Sequence, residues 1–191
     1  SFSVNNIFAN LGGNLSGAIV FNRLGAESNA IYSLAITFAD FVYGIIIAPT
    51  SKVLFTLSNM TKNNITVNNK AIYVRSLFKK YFLVSFILMA ASMIALPFVY
   101  KILFAKYLFS YHYAVIYSIS ILSVTFYPAY YYFLEKRKLK LMNIIQISIL
   151  ATNLLAMFFG SMYFGVFGAI LVAIFIRFLN NSVYFLMLKA E

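Results

Sequence analysis

"ANLGGNLSGAIV", residues 9–20, carries two asparagines four positions apart and three glycines inside an apolar run. Amides find no hydrogen-bond partner in lipid, and glycine weakens a helix by about 1 kcal/mol relative to alanine. The stretch is therefore either a buried helix of a water-soluble domain or an inward-facing helix of a membrane bundle. The surrounding chain decides between them. Of its 191 residues, 63% are hydrophobic and 10% are charged, where a soluble domain carries about a quarter charged. So much apolar surface cannot be covered by so little polar surface, and the bilayer is the solvent that fits.

A spanning helix needs about 20 mostly apolar residues. Hydropathy places about six such runs, at 2–22, 30–57, 80–100, 111–134, 141–160 and 163–188. The runs are continuous and long, which argues against the short alternating strands of a β-barrel. The expected fold is an all-α, polytopic transmembrane helical bundle forming a single lobe over 1–191. The one long polar connection, 58–79, reads as a loop, its second half a candidate interfacial amphipathic turn. Lys62, Lys70, Arg75, Lys79, Lys80, Lys136, Arg137, Lys138, Lys140 and Lys189 fall on one side of this topology, and Arg23, Lys101 and Lys106 on the other. The richer side is cytoplasmic by the positive-inside bias, which puts the 58–79 loop and both ends of the segment there. The net charge of +11 is thereby absorbed by membrane orientation, and nucleic acid is not an expected partner. The chain opens on Ser1 with no charged region ahead of its first apolar run, which reads as a piece of a longer chain and not as a signal peptide.

Catalysis has no visible apparatus. There is no cysteine and a single histidine, His112, so thiol chemistry, a classical triad and a metal centre are not expected, and no cofactor is implied. P-loop, H-E-x-x-H and G-x-S-x-G patterns are absent. The chain reads as a non-enzyme.

Polar residues inside the spans recur at helical spacing. The first run has Asn6, Asn10, Gly13, Asn14 and Gly17. The second has Ser33, Thr37, Asp40, Gly44, Ala48 and Ser51. Asn143, Gln146 and Asn153 share a face of the fifth, and Ala169, Ala173, Arg177, Asn180 and Tyr184 a face of the sixth. Two explanations compete: close helix packing, with Gly13 and Gly17 as a small-xxx-small seam, or a common water-filled cavity. Asp40 and Arg177 are placed at similar depth, where a charge costs roughly 2.5–3.5 kcal/mol. They form either a structural ion pair or two separate sites, Arg177 for an anionic group of a substrate and Asp40 for a coupling ion. The cavity candidates are Asn10, Asn14, Asp40, Gln146, Asn153, Arg177 and Asn180. "YPAYYYFLEKRK", residues 127–138, reads as an interfacial aromatic belt, with Glu135 a solvated partner of its basic neighbours.

The stretch from Asn10 to Met60, with Leu24-Gly25, Ile31-Tyr32-Ser33-Leu34-Ala35, Pro49 and Leu57-Ser58 in order, resembles Wzx-type polysaccharide flippases. "GVFGAILVAIFIRFLNN", residues 165–181, resembles the final helices of that group. These are O-antigen and capsule exporters of the multidrug/oligosaccharidyl-lipid/polysaccharide exporter superfamily. The resemblance implies one lobe, the C-terminal one, of a two-lobed transporter. It implies a substrate, an undecaprenyl-pyrophosphate-linked oligosaccharide repeat unit, flipped across the bacterial inner membrane for O-antigen, capsule or exopolysaccharide biosynthesis. Membrane lipids and a missing N-terminal lobe or second copy are the implied partners. The alternatives are a cation-coupled multidrug exporter of the same superfamily and a non-transporting membrane fragment.

Overall fold

The structure, a computed structural model, describes residues 2–63, 65 and 67–190, with side chains over 11–63, 65 and 69–188. Its elements are α1 (Phe2–Ile47), a 3-10 turn (Ala48–Thr50), α2 (Ser51–Lys62), α3 (Val67–Leu103), a 3-10 segment (Ala105–Ser110), α4 (Tyr111–Ser118), a second 3-10 segment (Ile119–Phe126), α5 (Tyr127–Glu135) and α6 (Leu139–Ala190). No strand occurs among the described residues. The chain is an all-α membrane protein. Four helical stretches, Leu11–Lys62, Asn69–Leu103, Ala105–Glu135 and Leu139–Leu188, are long and apolar enough to cross a bilayer.

Four stretches stand where six separate runs were expected, and two glycines account for the difference. α6 has 52 residues, about 78 Å if straight, against a hydrocarbon core of about 30 Å. It breaks at Gly165, whose φ of 60° and ψ of −142° interrupt the helix. α1 breaks in the same way at Gly25, with φ 86° and ψ 177°, a conformation essentially open only to glycine. Each long helix therefore folds into two arms, 2–24 with 26–47 and 139–164 with 166–190. The arms of α6 lie side by side, since Gln146 Nε2 donates to Asn180 Oδ1 at 2.8 Å. Near the turn their backbones touch: a Cβ on Gly160 would stand 3.2 Å from the Gly168 carbonyl oxygen and 2.8 Å from Val172 Cγ2.

The polar 58–79 segment is not a loop. α2 runs on to Lys62, and α3 begins at Val67, so most of it is helix. Its burial explains why. Leu57, Ala71 and Val74 pack with Tyr132, Phe133, Met142, Tyr184 and Leu188 in an apolar cluster at the lysine-rich end. The aromatic belt is corrected by the same cluster. Tyr131, Tyr132 and Phe133 are buried in it and do not face lipid headgroups. Glu135 is not solvated either. It pairs with Lys70 at 3.2 Å, both side chains being about nine-tenths buried, and Thr61 bonds to both.

Outside, the bundle presents large apolar groups such as Phe41, Phe55, Ile94, Ile102 and Phe164. Inside, hydroxyls are buried, among them Ser85, Ser118, Ser120, Ser123 and Thr125. This inverts the pattern of a water-soluble protein and suits a lipid solvent, in which internal polar groups must find internal partners. A second apolar cluster, including Val20, Ala35, Ala39, Leu96, Ile121 and Ile170, joins α1, α3, the Ile119–Phe126 segment and α6.

Candidate functional site

The arms of α1 and α6, with Tyr117 of α4 and Tyr127 of α5, line a half-open cavity of about 920 Å³ with mixed polar and apolar walls. Small-molecule sites span roughly 300–1,000 Å³, so this one is large. Its position follows from the two faces of α1. Ala35, Ala39, Val42 and Ile46 are buried in the core, while Ser33, Thr37 and Asp40 line the cavity. Gly44, Ala48 and Ser51, which continue that stripe in sequence, are not part of the lining.

Of the residues singled out from sequence, Asn14, Asp40, Gln146, Asn153, Arg177 and Asn180 all line the cavity. The side chain of Asn10 lies outside the described residues. The six differ in how free they are. Asn14 is exposed on the cavity wall. Gln146 is held by Asn180 and by the Tyr184 hydroxyl, 3.1 Å away. Asn153 Nδ2 donates to Ser16 Oγ at 3.0 Å, and Ser16 in turn donates to the Gly12 carbonyl at 2.7 Å. These amides tie helices together across the seam and present their remaining polar surface to the lumen.

Gly13 and Gly17 do not form the packing seam. Among the described residues, a Cβ on Gly13 would meet nothing within 4 Å, and one on Gly17 would meet only Asn29 Oδ1, at 3.7 Å. Both line the cavity. Gly12 is the tighter of the neighbours, with Leu150 Cδ1 at 3.4 Å and Asn153 Nδ2 at 3.6 Å from a built Cβ. Spacing alone could not separate a glycine that widens a lumen from one that admits a helix.

Asp40 and Arg177 form an ion pair across the cavity, Arg177 Nη2 donating to Asp40 Oδ1. The guanidinium is built into the wall. It lies over the Tyr43 ring at 4.4 Å and faces the Tyr117 ring at 5.2 Å. Its Nη1 donates to Ser120 Oγ at 3.2 Å. Such stacking holds a planar cation in place and offsets part of its desolvation. Asp40 is the looser partner, with 44% of its side chain exposed against 19% for Arg177.

Asn181 was not singled out from sequence, yet it anchors this arrangement. It is buried and donates to the Tyr43 hydroxyl at 2.8 Å and to Ser123 Oγ at 3.0 Å. Ser120 and Ser123 thus meet Arg177 and Asn181 as two successive rungs. The helical forms make this register possible. Three residues of 3-10 helix advance about 6 Å in one full turn, and four residues of α-helix also advance about 6 Å. Wound as α-helix, the serines would still share a face but would rise only about 4.5 Å, short of the step from Arg177 to Asn181. The signal available in sequence was the hydroxyl run "SISILSVT", residues 118–125, whose rise depends on a winding that hydropathy does not report.

Among the described residues no cluster of three or more His, Cys, Asp or Glu side chains could hold a metal ion. Fold and cavity together define a class: a helical membrane protein with a polar lumen between two folded-back helices. Set against protein-family models, curated proteins and solved structures, the chain matches none.

Proposed function

We propose that the chain is a lobe of a transporter that moves lipid-linked oligosaccharide repeat units across the bacterial inner membrane. The observation that carries this reading is the cavity: about 920 Å³, its wall mixing amides, hydroxyls, tyrosines and one ion pair with apolar side chains such as Ile36, Ile149 and Met157, inside a bundle whose outer surface is apolar. A sugar needs hydrogen-bond partners to leave water, and Asn14, Gln146, Asn153 and Asn180 offer them. A lipid tail needs none and can stay in the bilayer beside the apolar face. The lipid and glycan classes come from the resemblance to Wzx-type flippases. The lysine-rich end, with Lys62, Lys70, Lys136 and Arg137, is assigned to the cytoplasm by charge bias, and both ends of the segment with it. Alternating access by rocking of one lobe against another, or against a second copy, is the motion this reading requires.

The cation-coupled exporter is less well supported, because Arg177 already neutralises the carboxylate that a cation would need. The test is complementation of a flippase-null strain by the intact gene. Restored surface polysaccharide, lost again in Asn14→Leu and Asn153→Leu, is the expected result. Drug resistance without any glycan phenotype would overturn the reading.

A further inference from the structure

We infer that Arg177 is an oxyanion-binding site which the protein holds closed with its own carboxylate, Asp40. The ligand class is a phosphate-type oxyanion, free or carried on a lipid. The inference deepens the transport reading and rests on it for the ligand's route, but not for the binding itself.

Four observations carry it. First, Arg177 is the one cation and Asp40 the one anion among the described residues lining the cavity. Their charges cancel, and Asp40 is the guanidinium's counter-charge. An incoming oxyanion that takes Asp40's place keeps the guanidinium neutralised, whereas a neutral solute does not compete for it. Second, the guanidinium has anchors other than Asp40. Tyr43, Tyr117 and Ser120 hold three of its sides, and Asn181 fixes Tyr43 in turn. Pre-organised guanidinium forks suit phosphate oxygens, which they can engage through two parallel bonds. Third, Asp40 is built to leave. Its side chain is 44% exposed to the lumen, and Arg177 is its one hydrogen-bond partner among the described residues. Fourth, the net charge of +11 raises the local concentration of anions near the protein.

Self-occupancy has a measurable signature. The apparent affinity of a site that is open only part of the time is reduced by the open fraction. If Asp40 closes Arg177 in about 90–99% of molecules, removing the carboxylate tightens oxyanion binding about 10–100-fold. The experiment titrates the full-length protein in phosphatidylcholine nanodiscs with inorganic pyrophosphate by calorimetry. Asp40→Asn and Asp40→Ser should each bind at least about tenfold more tightly than the parent protein. Arg177→Gln should abolish binding in both backgrounds. Helical circular dichroism and a monodisperse elution profile establish that each variant is folded, and the two Asp40 variants protect the test against one of them failing.

Equal affinity in folded parent and Asp40 variants overturns the proposal, as does tight binding that survives Asp40→Asn/Arg177→Gln. Repeating the titration in discs doped with phosphatidylglycerol, and in discs doped to equal charge with the carboxylate lipid cholesteryl hemisuccinate, separates the two sources of the oxyanion. A loss of pyrophosphate affinity confined to the phosphatidylglycerol discs identifies a lipid headgroup as occupant, and equal affinity in the two identifies a free or soluble oxyanion. Failed complementation alongside intact pyrophosphate binding would sink the transport reading and leave the site standing. Successful complementation with no effect of Asp40 on binding would do the reverse.

Discussion

Alanine at Gly168 and alanine at Gly13 should change stability in opposite directions. At Gly168 the arms of α6 cross so closely that a Cβ would collide with the Gly160 backbone. A backbone atom cannot rotate away, so the arms must separate. Overpacking of this kind costs about 1–3 kcal/mol, and a backbone clash belongs in the upper half of that range. For a chain of this size each kcal/mol shifts Tm by about 2–4 °C, so Gly168→Ala should lower it by about 4–12 °C. At Gly13 a Cβ meets nothing within 4 Å. Alanine there contributes its better helix propensity, about 0.8–1 kcal/mol, and should leave Tm unchanged or raise it by about 2–4 °C. Both variants can be solubilised side by side and heated in steps, with the folded fraction read by fluorescence-detected size exclusion. If Gly13→Ala destabilises as much as Gly168→Ala, the first arm of α1 packs through Gly13 and Gly17, and its placement on the lumen wall is refuted.

Three further outcomes follow from the same geometry. Gly25→Ala should cost about 1–3 kcal/mol although space is free around it, because the loss lies in the backbone at φ 86°; the same thermal assay reads it. Lys70→Met should cost about 3 kcal/mol by stranding Glu135, and Lys70→Met/Glu135→Leu should recover most of that, as a double-mutant cycle would show. Asn181→Leu removes two interhelical bonds, each worth about 0.6 kcal/mol in a membrane, for a total of about 1–2 kcal/mol. A cycle with Ser123→Ala should return a coupling of about 0.6 kcal/mol, and zero coupling would deny that the rung matters.

Much of the lumen is legible along single helices. Ser33, Thr37 and Asp40, or Asn14 and Gly17, fall on one face because a helix repeats every 3.6 residues, and lipid tolerates such a face only turned inward. The breaks at Gly25 and Gly165 are visible as glycines near the ends of apolar runs. What they do is less visible. The 58–79 segment is Asn-rich and polar enough to pass for a loop, yet helix α3 begins within it because Ala71 and Val74 have partners on α5 and α6. Residues 127–138 have the composition of an interfacial belt. Pro128, Ala129, Tyr131, Tyr132 and Phe133 within them are buried because the ends of α2, α3 and α6 surround them, which no count of tyrosines reveals.

The sequence by itself determined that this is an all-α membrane protein whose helices carry polar inner faces, because composition and periodicity are local properties of each segment. Only the tertiary structure decided which residues on those faces meet. Asp40 and Arg177 are 137 positions apart, and their pairing depends on how two folded-back helices are rotated against each other. The same holds for Ser120 and Ser123, brought into step with Arg177 and Asn181 by the tighter winding of one short segment. Hydrogen bonds and ion pairs are specific in distance and direction, so their partners are fixed by packing, while the stripe that makes them possible is fixed by the chain.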